Sequence, residues 1–128
     1  MKYITLIIGL LVVGCGKTEP IKELTPEQKQ KALRDSVVGE YEFKDENGNP
    51  YTFVFLENGV REYYLNGNKR RGDKWSIVDG EIYIEYRIGW FEVYRKNTDK
   101  SITQIAYIED GKRTALKKEQ QTTYKKIK

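Results

Sequence analysis

The chain contains no histidine, one cysteine and one methionine among its 128 residues. Without histidine it lacks the commonest general base, proton shuttle and metal ligand, which argues against most hydrolase mechanisms. A single cysteine excludes an internal disulfide framework and any cysteine-rich zinc site. Glycine-rich phosphate loops, nucleophile elbows and metal-ligand spacings are absent from the sequence. Glu40 and Glu42, like Glu81 and Glu85, alternate with apolar residues as solvent-facing carboxylates do, which leaves them little catalytic power. The expectation is a protein that is not an enzyme, with no catalytic residue, no metal and no diffusible cofactor.

The 38% hydrophobic and 33% charged content is that of one small globular domain with a modest core. Only one long apolar run breaks this pattern, from Ile4 to Gly14, behind Lys2. It is too short to span a bilayer, which takes about 20 residues, and fits the apolar region of a secretory signal. The run ends in Val12-Val13-Gly14-Cys15, which resembles the lipobox of bacterial lipoproteins. That resemblance implies cleavage before Cys15, covalent lipid on its sulfur and attachment to a membrane of the cell envelope. In a Gram-negative host, Gly16 matches sorting to the periplasmic side of the outer membrane. The domain plan is therefore a signal peptide at 1–14, a lipidated tether at 15–24, and a folded domain at 25–128.

The folded part opens with helix-start chemistry: Thr25 as N-cap, Pro26 at the first helical position and Gln28 completing a capping box. A short helix over 26–35 follows, with few apolar residues, suited to plugging a neighbouring sheet. From Val37 the period changes to two. Tyr41 and Phe43 alternate with glutamates, Tyr51, Phe53 and Phe55 share a face, and so do Ile82, Ile84 and Tyr86. Asn47-Gly48, Asn58-Gly59, Asn66-Gly67, Asp79-Gly80 and Asp110-Gly111 punctuate these runs as tight-turn dipeptides.

This grammar predicts an all-β antiparallel up-and-down meander of eight or nine strands, at 37–44, 51–57, 60–66, 73–78, 81–87, 90–96, 101–108, 112–118 and 121–127. Closure into a barrel removes the open edges such a sheet would leave.

The order "VVGEY", "YTFVFLENG", "GDKWSIVDGEIYIEY" and a closing "TTYKKIK" resembles the lipocalin-like domain of small bacterial lipoproteins over roughly residues 36–128. Gly39 and Tyr41 stand where that pattern has Gly-x-Trp, so Tyr41 departs from it, and Trp75 with Ile77 matches its fourth-strand motif. The resemblance implies a barrel that binds a small apolar molecule, or an envelope protein without a ligand, and transfers no catalytic residue.

Two functional expectations follow. Tyr41, Phe53, Phe55, Trp75, Ile84 and Tyr86 line an apolar pocket, or else simply fill the core. Alternatively, the partner is an envelope protein docked on an outer surface around Trp90 and the basic "NKRRGDK" hairpin with Arg70 and Arg71. Trp90 and Phe91, being adjacent, must point to opposite faces of a strand. The net charge is +4, of which Lys2 contributes one, and an exported compartment argues against nucleic acid as the partner.

Overall fold

The computed structural model describes residues 23–128; the signal run, Cys15 and most of the tether lie outside the described residues. Helix α1 spans Pro26–Val37 and is closed at its start by the expected box. Thr25 accepts from the Gln28 backbone N–H, and the Gln28 side chain accepts from the Thr25 N–H. The helix runs two residues beyond its predicted end, because Val37 is fully buried in the core and Tyr41 O–H donates to the Val37 carbonyl at 2.7 Å.

Nine strands follow: β1 (Gly39–Lys44), β2 (Pro50–Phe55), β3 (Val60–Leu65), β4 (Asn68–Val78), β5 (Glu81–Arg87), β6 (Trp90–Lys96), β7 (Ile102–Glu109), β8 (Lys112–Ala115) and β9 (Thr123–Lys126). Strands β1 to β7 pair antiparallel in chain order. Strand β9 closes the sheet by pairing β1 on one side, with Lys126 opposite Tyr41, and β7 on the other, with Tyr124 opposite Ile102. The result is a closed eight-strand barrel. Strand β8 stands outside the closure, paired to the distal half of β7 from Ala106↔Ala115 to Glu109↔Lys112. A short 3-10 turn at Lys118–Gln120 then carries the chain back to β9.

The tightest turns are those where two successive residues have positive φ: Asn66-Gly67, Asp79-Gly80 and Asp110-Gly111. At Asn47-Gly48 and Asn58-Gly59 only the glycine has positive φ, and the loops are wider. Gly39 is tied to the barrel's closure. Its φ is 143°, and a Cβ there would collide with the backbone carbonyl of Lys128, where β9 ends against β1.

Interior side chains separate into two layers. At the end plugged by α1, Val37, Tyr41, Phe55, Trp75, Ile77, Ile82, Ile84 and Ile102 form a dry core with 0 to 6% exposure. The helix is fixed there by Gln30 donating to the Ile77 carbonyl and by the Arg34 guanidinium 4.4 Å from the Trp75 ring centre. The other end of the barrel is open and polar.

Candidate functional site

Strand direction alone assigns the open end. The β1–β2, β3–β4, β5–β6 and β7–β8 turns surround it, and α1 occupies the opposite end. Within this mouth lies a cavity of about 240 Å³ lined by Tyr51, Phe53, Arg61, Tyr63, Arg71, Tyr86, Glu92, Tyr94, Gln104 and Tyr124.

An ion pair sits beneath it. Arg61 on β3 and Asp73 on β4 are directly opposite in register. Arg61 Nη2 donates to Asp73 Oδ2 at 2.6 Å, and Arg71 donates to Asp73 Oδ1 through Nη2 at 3.0 Å and Nε at 3.2 Å. Both Asp73 oxygens are thus committed. Arg61 Nη1 lies 4.0 Å from Glu92 Oε1, beyond hydrogen-bond reach, and buried Nε has no partner among the described residues. The Arg61 guanidinium rests 4.4 Å from the Phe53 ring centre, a cation–π contact in a dry setting.

The aromatic walls are mutually packed. Phe53 stacks on Tyr124 with centroids 4.1 Å apart, and Tyr63 and Tyr94 meet Phe53 edge-on at 5.8 Å. Tyr94 O–H donates to Glu92 Oε1 at 3.1 Å. The hydroxyls of Tyr51, Tyr63, Tyr86 and Tyr124 have no protein partner among the described hydrogen bonds. Burial pushes the Tyr63, Tyr86, Tyr94 and Tyr124 phenols above their ordinary range, so they hold their protons at neutral pH.

Two β-bulges shape the rim. The shift between Tyr63 and Tyr64 leaves Arg70 as an extra exposed residue and turns Arg71 into the mouth, where its Nη2 also donates to the Tyr86 carbonyl. The shift between Glu85 and Arg87 makes Tyr86 the extra residue of β5, edge-on to Trp90 at 6.2 Å. Trp90 is half-buried under the Arg87 guanidinium, and Phe91 packs on Tyr83 at 5.7 Å.

Of the six aromatic and aliphatic residues expected to line a pocket, Phe53 and Tyr86 reach the cavity. Tyr41, Phe55, Trp75 and Ile84 are sealed in the core beneath it. Of the three expected surface residues, Arg70 and Trp90 lie on the rim, and Arg71, with 46% of its side chain exposed, reaches from the rim to Asp73. Arg61, Asp73, Glu92 and Tyr94 escaped sequence reasoning. Their signal was phase: Arg61 and Tyr63 alternate with solvent-facing Glu62, and Asp73 precedes Trp75 and Ile77 at inward positions.

A second groove, of about 540 Å³, lies at the plugged end between α1 and the β6–β7 turn, where Lys96, Lys100 and Lys126 converge. Burial, and then mutual repulsion, lowers the Lys96 and Lys126 ammonium pKa values. Comparison with protein-family models, with curated proteins and with solved structures returns no match to this chain, so its functional reading rests on the barrel and its mouth.

Proposed function

We propose that the chain is a membrane-anchored envelope lipoprotein whose lipocalin-like barrel binds a small molecule in its mouth. The binding half of this reading is carried by one observation: a 240 Å³ cavity over a buried arginine whose Nη1 has no hydrogen-bond partner among the described residues. The cavity is open at the barrel mouth, so a small molecule can enter it, and its lining mixes aromatic faces with a few charged groups as small-molecule sites do. The anchoring half is supported by the Val12-Val13-Gly14-Cys15 motif. Glu23–Thr25 lead into α1 at the plugged end, so an anchor at Cys15 joins the domain at the end opposite the mouth. Lys96, Lys100 and Lys126 lie at that same end, where each cation near an anionic surface adds about 1 kcal/mol of attraction.

One feature favours the alternative of a protein-interaction module. Ile88, at the tip of the β5–β6 turn beside Trp90, is 96% exposed. Such an apolar tip suits contact with an envelope protein, but its small area falls far short of the roughly 800 Å² per partner of a stable interface.

The test is native mass spectrometry of the full chain extracted gently from its own host. A reproducible small-molecule adduct released on denaturation supports the binding reading. A bare protein mass in repeated preparations counts against it and favours the docking surface.

A further inference from the structure

Two lysines hold inward phase at the plugged end of the barrel. Lys96 follows buried Tyr94 by two residues on β6, and Lys126 follows buried Tyr124 by two on β9, so both side chains turn toward α1. Both are half-buried, and with exposed Lys100 they line the groove of about 540 Å³ between α1 and the β6–β7 turn. No carboxylate lines it. At the mouth, buried Arg61 has Asp73 opposite, whereas none of these three lysines belongs to an ion pair among the described residues. The acids close in sequence stand elsewhere. Asp35 pairs with Lys31 at 2.8 Å, Asp99 accepts from the backbone N–H and hydroxyl of Ser101, and exposed Asp79 lies outside the lining. Lys126 spends one of its three donors on the Ser36 carbonyl at 3.0 Å, and Lys96 and Lys100 spend none among the described residues. Burial first, then repulsion from the other lysines, lowers the Lys96 and Lys126 ammonium pKa values, as befits cations gathered without a counter-ion.

An anion supplies what this cluster lacks, and the donor set narrows its class. A carboxylate presents two oxygens in one plane and suits the fork of an arginine, but no arginine lines the groove. A terminal phosphate carries a charge of about −1.5 to −2 at neutral pH on three strong acceptor oxygens. Three separate ammonium groups, each a point charge with rotatable donors, match that distribution. The groove also exceeds the roughly 150 Å³ that holds benzene, which leaves room beside Leu33 for part of a larger molecule. We propose that the groove binds a phosphate group at the end of a larger molecule, held by Lys96, Lys100 and Lys126. That molecule is either a soluble phosphate monoester or a lipid with a monoester headgroup. The lipid source rests on the anchoring reading above, whereas the phosphate class does not.

Inorganic phosphate and acetate are titrated into the full chain in nonionic detergent at constant ionic strength, and the backbone amide signals of Ser36, Asn97 and Thr98 are followed by nuclear magnetic resonance. Phosphate is expected to move them saturably, and acetate to leave them in place. Lys126 also ties β9 to α1, so it is left intact. Lys96→Gln and Lys100→Gln each remove one charge and are expected to weaken phosphate about three- to tenfold, the factor one hydrogen bond carries. Neither variant is expected to lower the thermal transition, because each relieves like-charge repulsion. The same signals are then compared in nanodiscs of phosphatidylcholine with and without phosphatidic acid. A shift on adding phosphatidic acid assigns the phosphate to a lipid headgroup, and unchanged signals assign it to a soluble compound; the phosphate class stands in both cases. Acetate acting as well as phosphate would overturn that class. Silence up to about 10 mM phosphate, a range that captures millimolar affinities, would overturn the site, and binding indifferent to both lysine variants would overturn its placement. The anchor is decided separately, by fractionation of Cys15→Ala.

Discussion

Arg61 and Asp73 face each other across the β3–β4 ladder, 2.6 Å apart, with 4% and 7% of their side-chain surfaces exposed. Two opposite charges this deep repay their desolvation only while both are present, and removing one partner from a buried pair costs about 3–5 kcal/mol. Asp73→Leu, which leaves buried Arg61 without its carboxylate, is therefore expected to destabilise the domain by about that much in chemical denaturation, whereas the double variant Arg61→Met, Asp73→Leu recovers most of the loss. A single-variant cost under about 1 kcal/mol would mean that the pair is solvated and the cavity floor wet.

Trp75 tests the dry layer beneath. It is 3% exposed, meets Phe55 edge-on at 5.4 Å, and its indole N–H donates to the Leu56 carbonyl at 3.0 Å. Trp75→Ala should cost about 3–5 kcal/mol. Trp75→Phe, which keeps a ring and removes one hydrogen bond while the Leu56 carbonyl still accepts from the Gly59 N–H at 3.1 Å, should cost about 0.5–1.5 kcal/mol.

Barrel closure depends on Gly39. A methyl group there meets the Lys128 carbonyl in a backbone conformation that L side chains avoid. Gly39→Ala is expected to lower stability by at least about 1–3 kcal/mol and to speed amide exchange along β9 before the rest of the sheet. Uniform exchange across all strands would show that closure at this seam is not the weak point.

High pH should unfold the domain in a defined window. Burial pushes the Tyr41 phenol up to about 12, while an unfolded tyrosine ionises near pH 10. The unfolded chain therefore loses this proton first. The stability held by neutral Tyr41 is complete below about pH 10 and is lost as pH rises through the folded value. Tyrosinate absorbance should appear together with loss of the near-ultraviolet circular dichroism, and early ionisation of all nine tyrosines of the folded domain with the fold intact would contradict this burial.

Membrane attachment is tested by Cys15→Ala. The variant is expected to leave the membrane fraction or to accumulate as unprocessed precursor. Correct cleavage with full membrane retention would sink the lipoprotein reading.

The barrel was legible because alternation and turn chemistry are local. Tyr41, Phe53, Ile82 and Ile84 each follow the period of two, and Asn66-Gly67 and Asp79-Gly80 supply the positive φ that tight hairpins require. Strand β4 begins five residues earlier than expected, at Asn68, because Asn68–Gly72 form the protruding end of the β3–β4 hairpin. That stretch is exposed on both faces and so carries no alternation. Alternation and turn spacing place strand β8 in a single meander with its neighbours. Its place outside the closure depends on β9 taking both free edges, a long-range pairing that no short window encodes.

The candidate site was less legible than the fold. Four of the six residues expected at a pocket, Tyr41, Phe55, Trp75 and Ile84, are core because they pack in the layer that α1 plugs. The cavity instead gathers side chains of mixed polarity whose common property is inward phase near the mouth. Arg61 shows this best: a charged residue at an inward strand position reads as an exception to burial until Asp73 is found opposite it.

The central claim, that the mouth holds a small molecule over Arg61, is met most directly by a high-resolution density map of protein purified from its own host. The expected result is connected, non-solvent density enclosed by Tyr63, Tyr86 and Tyr124, with an acceptor atom in hydrogen-bond reach of an Arg61 nitrogen. A mouth closed by its own tyrosines, with Arg61 satisfied by protein groups or by a single bound water, would contradict it.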